Sequence, residues 1–76
     1  MKHQKIPDSS NVASVAHNPA TGILEVKFHS GGVYQYANVT EKQHADLLAA
    51  ESTGRYLNDH IVSQPKKHPY IKVNKR

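Results

Sequence analysis

The spacing of apolar and polar residues along the chain changes period once, dividing it into a sheet-forming half and a helical half. Residues 23–29, "ILEVKFH", alternate strictly, with Leu24, Val26 and Phe28 to one side and Glu25, Lys27 and His29 to the other. That pattern predicts a half-buried strand. Before it, "VASVAH" (12–17) reads as a first strand, separated from the second by the turn-forming "NPATG". "SGG" ends the second strand, and "VYQYANV" (33–39) begins a third, in which Val33, Ala37 and Val39 lie opposite Tyr34, Tyr36 and Asn38. The glycines between them imply a hairpin.

Loop length decides which way the two tyrosines point. With a two-residue loop, Leu24, Val26 and Phe28 share a face with Val33, Ala37 and Val39, and the tyrosines stand beside Glu25, Lys27 and His29. A three-residue loop reverses this, because a slip of one residue moves every side chain to the other face. Tyr34 and Tyr36 then cover Phe28 and Val26, leaving Val33 and Val39 among charges. The two-residue loop collects the aliphatic residues on one face and suits Gly-Gly, so the expectation is a tyrosine platform pointing away from the core.

After Val39 the period becomes helical. Thr40 followed by Gln43 forms a capping box, with Glu41 in the first turn where the helix dipole favours a negative charge. Ala45, Leu48, Ala49 and Ser52 form the expected inward stripe, Leu47 lies at its edge, and Gly54 is placed to end the helix. "RYLNDHIVSQ" (55–64) reads as a short second helix with Leu57 and Ile61 one turn apart and facing inward, stopped by Pro65. The predicted fold is α+β: a small three-stranded antiparallel meander with one or two C-terminal helices packed on one face, then a flexible basic tail. Residues 1–8 are a leader, 9–61 the domain and 62–76 the tail.

Charge sharpens the last boundary. The chain of 76 residues has a formal net charge of +4, and residues 62–76 hold five of the ten Lys and Arg and none of the six acids. The excess of positive charge is therefore in the tail, whose prolines and sparse apolar positions argue against a packed element. Hydrophobic residues make up 37% of the chain, with no Trp and one Phe, so the core is thin and a domain of this size gains from dimerisation. There is no cysteine, which excludes disulfides and thiolate metal sites and agrees with a cytoplasmic location. No apolar run reaches the roughly 20 residues that cross a bilayer, so no membrane association is expected.

One stretch, "SSNVASVAHNPATGILEVKFHSGGVYQYANVT" followed later by "STGRYLNDHI", resembles the KTSC (lysyl-tRNA-synthetase C-terminal-like) domain family, whose members follow "SSxIxSIGYDPxxxxLEVxFxxGxVYxYxxVP", a helix, and "SxGxYFNxxI". The resemblance runs from Ser9 to Ile61. His17 stands where a tyrosine is common, Thr40 replaces the proline before the helix and Leu57 replaces a phenylalanine. The resemblance implies a stand-alone bacterial member of the family, with RNA binding as the suggested activity.

Functional candidates follow from the platform and the tail. Tyr34 and Tyr36 are suited to stack bases, with Lys27 beside them for phosphate, and Arg55, Lys66, Lys67 and Lys72 extend the positive surface. Together they point to RNA or single-stranded DNA bound with low sequence specificity. The alternative is a homodimeric protein-interaction module in which the tyrosines lie in an interface. Six histidines are present, but none falls in an H-x-H, H-x-x-x-H or H-E-x-x-H spacing, so no metal is expected. No nucleophile elbow, carboxylate pair or phosphate loop appears either, so neither catalysis nor a cofactor is expected.

Overall fold

The structure is a computed structural model that describes residues 3–6 and 9–73. Strands β1 (Gln4–Lys5), β2 (Val12–Asn18), β3 (Ile23–Phe28) and β4 (Val33–Tyr36) are followed by helices α1 (Glu41–Ala49) and α2 (Thr53–Leu57), a π-helical continuation (Asn58–Val62) and β5 (Tyr70–Val73). Among the described residues the strands form one antiparallel sheet in the order β1-β2-β3-β4-β5. The α+β class holds, and the sheet has two more strands than the meander expected from the sequence. Gln4 and Lys5, in the expected leader, pair with Val15 and Ser14. The described part of the expected tail supplies β5, which pairs with β4 from Val33↔Val73 to Tyr36↔Tyr70. The rest of these two segments, residues 1, 2, 7, 8 and 74–76, lies outside the described residues.

β5 forms because a buried histidine anchors the chain ahead of it. His68 is 2% exposed. Its Nδ1 donates to the Ala37 carbonyl at 2.9 Å, and its Nε2 lies 3.3 Å from Gln43 Nε2. Only the tautomer with the proton on Nδ1 satisfies both contacts, since the Gln43 amide nitrogen must be the donor. The Ala37 N–H in turn donates to the Pro69 carbonyl, leading directly into the β4–β5 ladder.

The β3–β4 register reverses the expected one. Leu24 faces Tyr36 and Val26 faces Tyr34, so both tyrosines share the helix-covered face with the aliphatic residues. The loop has three residues: the Phe28 N–H donates to the Gly32 carbonyl and the Gly31 N–H to the Phe28 carbonyl. Gly31, with φ of 99°, takes the left-handed position that such a loop needs at its end. The two valines that argued against this register are accommodated separately. Asn38 adopts φ of 61° and resets the alternation, returning Val39 to the core at 1% exposure. Val33, on the other face, is buried between Lys27 and Val73, its partners on the two flanking strands.

The core joins Val12, Val15, Leu24, Val26 and Tyr36 of the sheet to Ile6, Val39, Leu47, Leu57 and Ile61. A bulge between Val12 and Ser14 lets Val12 and Val15 both point inward, although they are three residues apart. The capping box on α1 forms as expected from Thr40 and Gln43, but the helix turns Leu47 inward and leaves Ala45 and Ala49 exposed. Gly54 does not end α1. It lies inside α2, against the start of β2, where a Cβ would make ordinary van der Waals contact with Ser9 Oγ at 3.4 Å. Ser52 caps this second helix by accepting from the Arg55 N–H, and Leu57 and Ile61 face inward as predicted.

Candidate functional site

Because the tyrosines share the helix-covered face, they line a groove where the helical layer ends. The groove, of about 490 Å³, runs between Phe28, Tyr34, Tyr36 and Tyr70 of the sheet and Gly54, Leu57, Asn58 and Val62 of the helical side. Asn11, Val12 and Ser30 complete it, and no acidic residue is among these eleven.

The rings form a continuous row. Phe28 meets Tyr34 edge-on with centroids 5.7 Å apart and planes at 79°. Tyr70 stands 5.8 Å from both Tyr34 and Tyr36. These separations fall within the range of favourable aromatic pairs. Exposure is graded along the row: Tyr36 is 4% exposed, Tyr34 is half-buried and Tyr70 is 55% exposed. Burial, reinforced by Tyr34 and Tyr70, pushes the Tyr36 hydroxyl up to about 12. Tyr36 is thus the floor of the groove and Tyr70 its accessible wall.

The sequence candidates divide between the two sides of the sheet. Tyr34, Tyr36 and Lys72 come together, because Lys72 pairs directly with Tyr34 across the β4–β5 ladder. Lys27 pairs with Val33 instead, which places it on the opposite face, the thickness of the sheet away from the rings. This separation corrects the expectation that Lys27 stands beside the tyrosines, and it follows directly from the three-residue loop. Arg55 is exposed on α2 next to Gly54 and approaches Asp59 at 3.7 Å, a weak surface pair. Lys66 and Lys67 are exposed in the turn before β5, where the Lys67 carbonyl accepts from Asn38 Nδ2.

Tyr70 and Phe28 belong to the groove although the sequence reading gave them no part in it. The signal for Tyr70 was available in "YIKV", four residues of strand-forming character with Tyr and Lys two apart. No helix of the described residues is long and apolar enough to cross a membrane.

The KTSC domain family model matches residues 8–64. A protein of Tsukamurella paurometabola is 43% identical over 51 residues, covering 67% of this chain and 76% of its own length. A protein of Stutzerimonas stutzeri is 36% identical over 66 residues, covering 87% and 90%. The crystal structure of a KTSC domain protein from Yersinia pestis superposes with a TM-score of 0.84 at 30% identity, over 96% of this chain and 97% of that one. The structural likeness therefore reaches β5, beyond the end of the family-model match, and the chain belongs to the KTSC domain family.

Proposed function

We propose that the protein binds RNA or single-stranded DNA with low sequence specificity in the aromatic groove. The observation that carries this reading is the row of four rings along an acid-free groove, with Lys72 directly beside Tyr34. Unpaired bases stack on such rings whatever their identity, each contact contributing on the order of 1–3 kcal/mol. Lys72, together with Arg55, Lys66 and Lys67 on neighbouring surface, supplies phosphate contacts. Tyr70 is the ring best placed to take a base, since Tyr36 is committed to the core. Anisotropy of a labelled ten-nucleotide strand tests this. Three to five phosphate contacts give a log–log salt slope of roughly −2 to −3.5. Tyr70→Leu weakens binding without changing that slope, and Lys72→Gln flattens it. Binding unaffected by Tyr70→Leu would reject the stacking groove.

The second reading, a homodimer, is favoured by the exposed edge strand β5, where Tyr70 and Ile71 are 55% and 62% exposed. Two copies pairing there would cover both side chains and satisfy the free strand edge. The interface would then be built around Tyr70 and Ile71, with Tyr36 remaining in the core of each copy.

A further inference from the structure

On the face of the sheet away from the helices, polar side chains from successive strands meet in an ordered chain. His3, at the head of β1, bonds Ser14 Oγ on β2 through Nδ1 at 2.8 Å and the Glu25 carboxylate on β3 through Nε2. Gln35 Nε2 on β4 donates to the other Glu25 oxygen at 2.9 Å. Ser14 is 9% exposed and Glu25 7%. With the carboxylate accepting from Nε2–H, the Nδ1 lone pair is left to accept from the Ser14 hydroxyl. The order is hydroxyl, imidazole, carboxylate.

Two further features point to a reactive group. Ser14 and Lys27 are paired across β2 and β3, which brings the exposed lysine close to the hydroxyl on the same face. A cavity of about 420 Å³ lined by His3, Ser14, Lys27, Gly31 and Val33 opens beside them. We propose that Ser14 is the nucleophile of an acyl-transfer site for small carboxylic esters, with His3 as its base and Glu25 as the residue that positions His3. Attack of Ser14 Oγ on the ester carbonyl passes the hydroxyl proton to His3 Nδ1. The C–O bond to the leaving group then breaks, and the leaving oxygen takes that proton, giving an alcohol and acyl-Ser14. Water, deprotonated by the same imidazole, releases the acid and restores the hydroxyl. Lys27 is positioned to stabilise the oxyanion. The residues involved come from three strands and from the residue just before β1, so no local motif announces them.

p-Nitrophenyl acetate supplies the test, with nitrophenolate release followed at neutral pH and the acetyl group located by peptide mass spectrometry. The site predicts an acetyl group on Ser14 of the full chain and a rate about 100-fold lower in His3→Ala. Ser14→Ala, checked for folding by circular dichroism, should lose the modification. Acetylation confined to lysines or tyrosines, no acetylation at all, or an unchanged rate in His3→Ala would each overturn the proposal. Mapping the acetyl group on the unmodified sequence requires no variant, so the test stands even if Ser14→Ala fails to fold.

Discussion

Tyr36 and His44 show how burial in a thin core makes stability depend on pH at both ends of the range. Burial, with Tyr34 and Tyr70 adding to it, pushes the Tyr36 phenol up to about 12 from an ordinary 10.0. A folded value above the unfolded one means that the stabilisation is complete below pH 10 and is lost between pH 10 and 12, as the unfolded chain ionises first. The loss should be on the order of 1–2 kcal/mol, below the full value of a two-unit shift because the groove is open to solvent. Urea unfolding at pH 8 and pH 11 checks this, and Tyr36→Phe should remove most of the difference. His44 works in the opposite direction. Its Nε2 is buried with no partner among the described residues, its ring stacks on His17 with centroids 4.9 Å apart, and burial followed by His17 lowers its pKa. The neutral form is the one the fold accepts, so this contribution is complete above pH 6.5 and falls as the unfolded chain takes up a proton below it. His44→Phe should flatten unfolding midpoints measured between pH 7 and pH 5.

At the scale of elements, the β3–β4 loop and β5 are where the structure departs from the pattern of the sequence. Gly31→Ala isolates the loop, because a Cβ there meets nothing within 4 Å while φ is 99°. The cost is therefore conformational, about 1–2 kcal/mol, and should appear as a lower urea midpoint with no change in the slope of the transition. The sequence pattern alone argues that residues 62–76 are dispensable. Instead His68 is buried and holds β5 against β4, so His68→Ala should cost about 2–4 kcal/mol through lost packing and an unpaired Ala37 carbonyl. Removing everything after Gln64 should cost at least as much, measured by the same denaturation. A truncated chain as stable as the parent would show that β5 contributes nothing to the core.

For the whole molecule, the Cα radius of gyration is 11.1 Å, close to the roughly 11.4 Å of a compact domain of this length. A dimer would add contacts to a domain that is already compact. Sedimentation equilibrium at micromolar to millimolar concentration should give a dimer mass, and Ile71→Lys, at the exposed edge, should return it to monomer. A monomer mass throughout would remove the edge-strand interface and leave β5 open to other partners. The groove and the edge-strand dimer compete for Tyr70, which is 55% exposed in the single chain, so a bound oligonucleotide should lower the dimer fraction.

The chain alone specifies the elements whose information is local. Alternation in "ILEVKFH" marked β3, the Thr40–Gln43 box set the start of α1, and the spacing of Leu57 and Ile61 set the inward face of the second helical segment, because caps and periodicity act within a few residues. It also carried the family in the order of its motifs, which include Ser14 and Glu25 although nothing local marks those two as chemically linked. The remaining features depend on residues distant in the chain. The same glycines allow loops of two or three residues, and that choice depends on contacts the loop does not contain: Phe28 against Tyr34, Asn38 returning Val39 to the core, and β5 covering Val33. The tail becomes a strand only because an edge of β4 is there to pair with and a pocket is there for His68. Ser14 and Glu25 meet His3, and Gln35 meets Glu25, for the same reason, since strand pairing brings together residues that are ten or more positions apart in the chain.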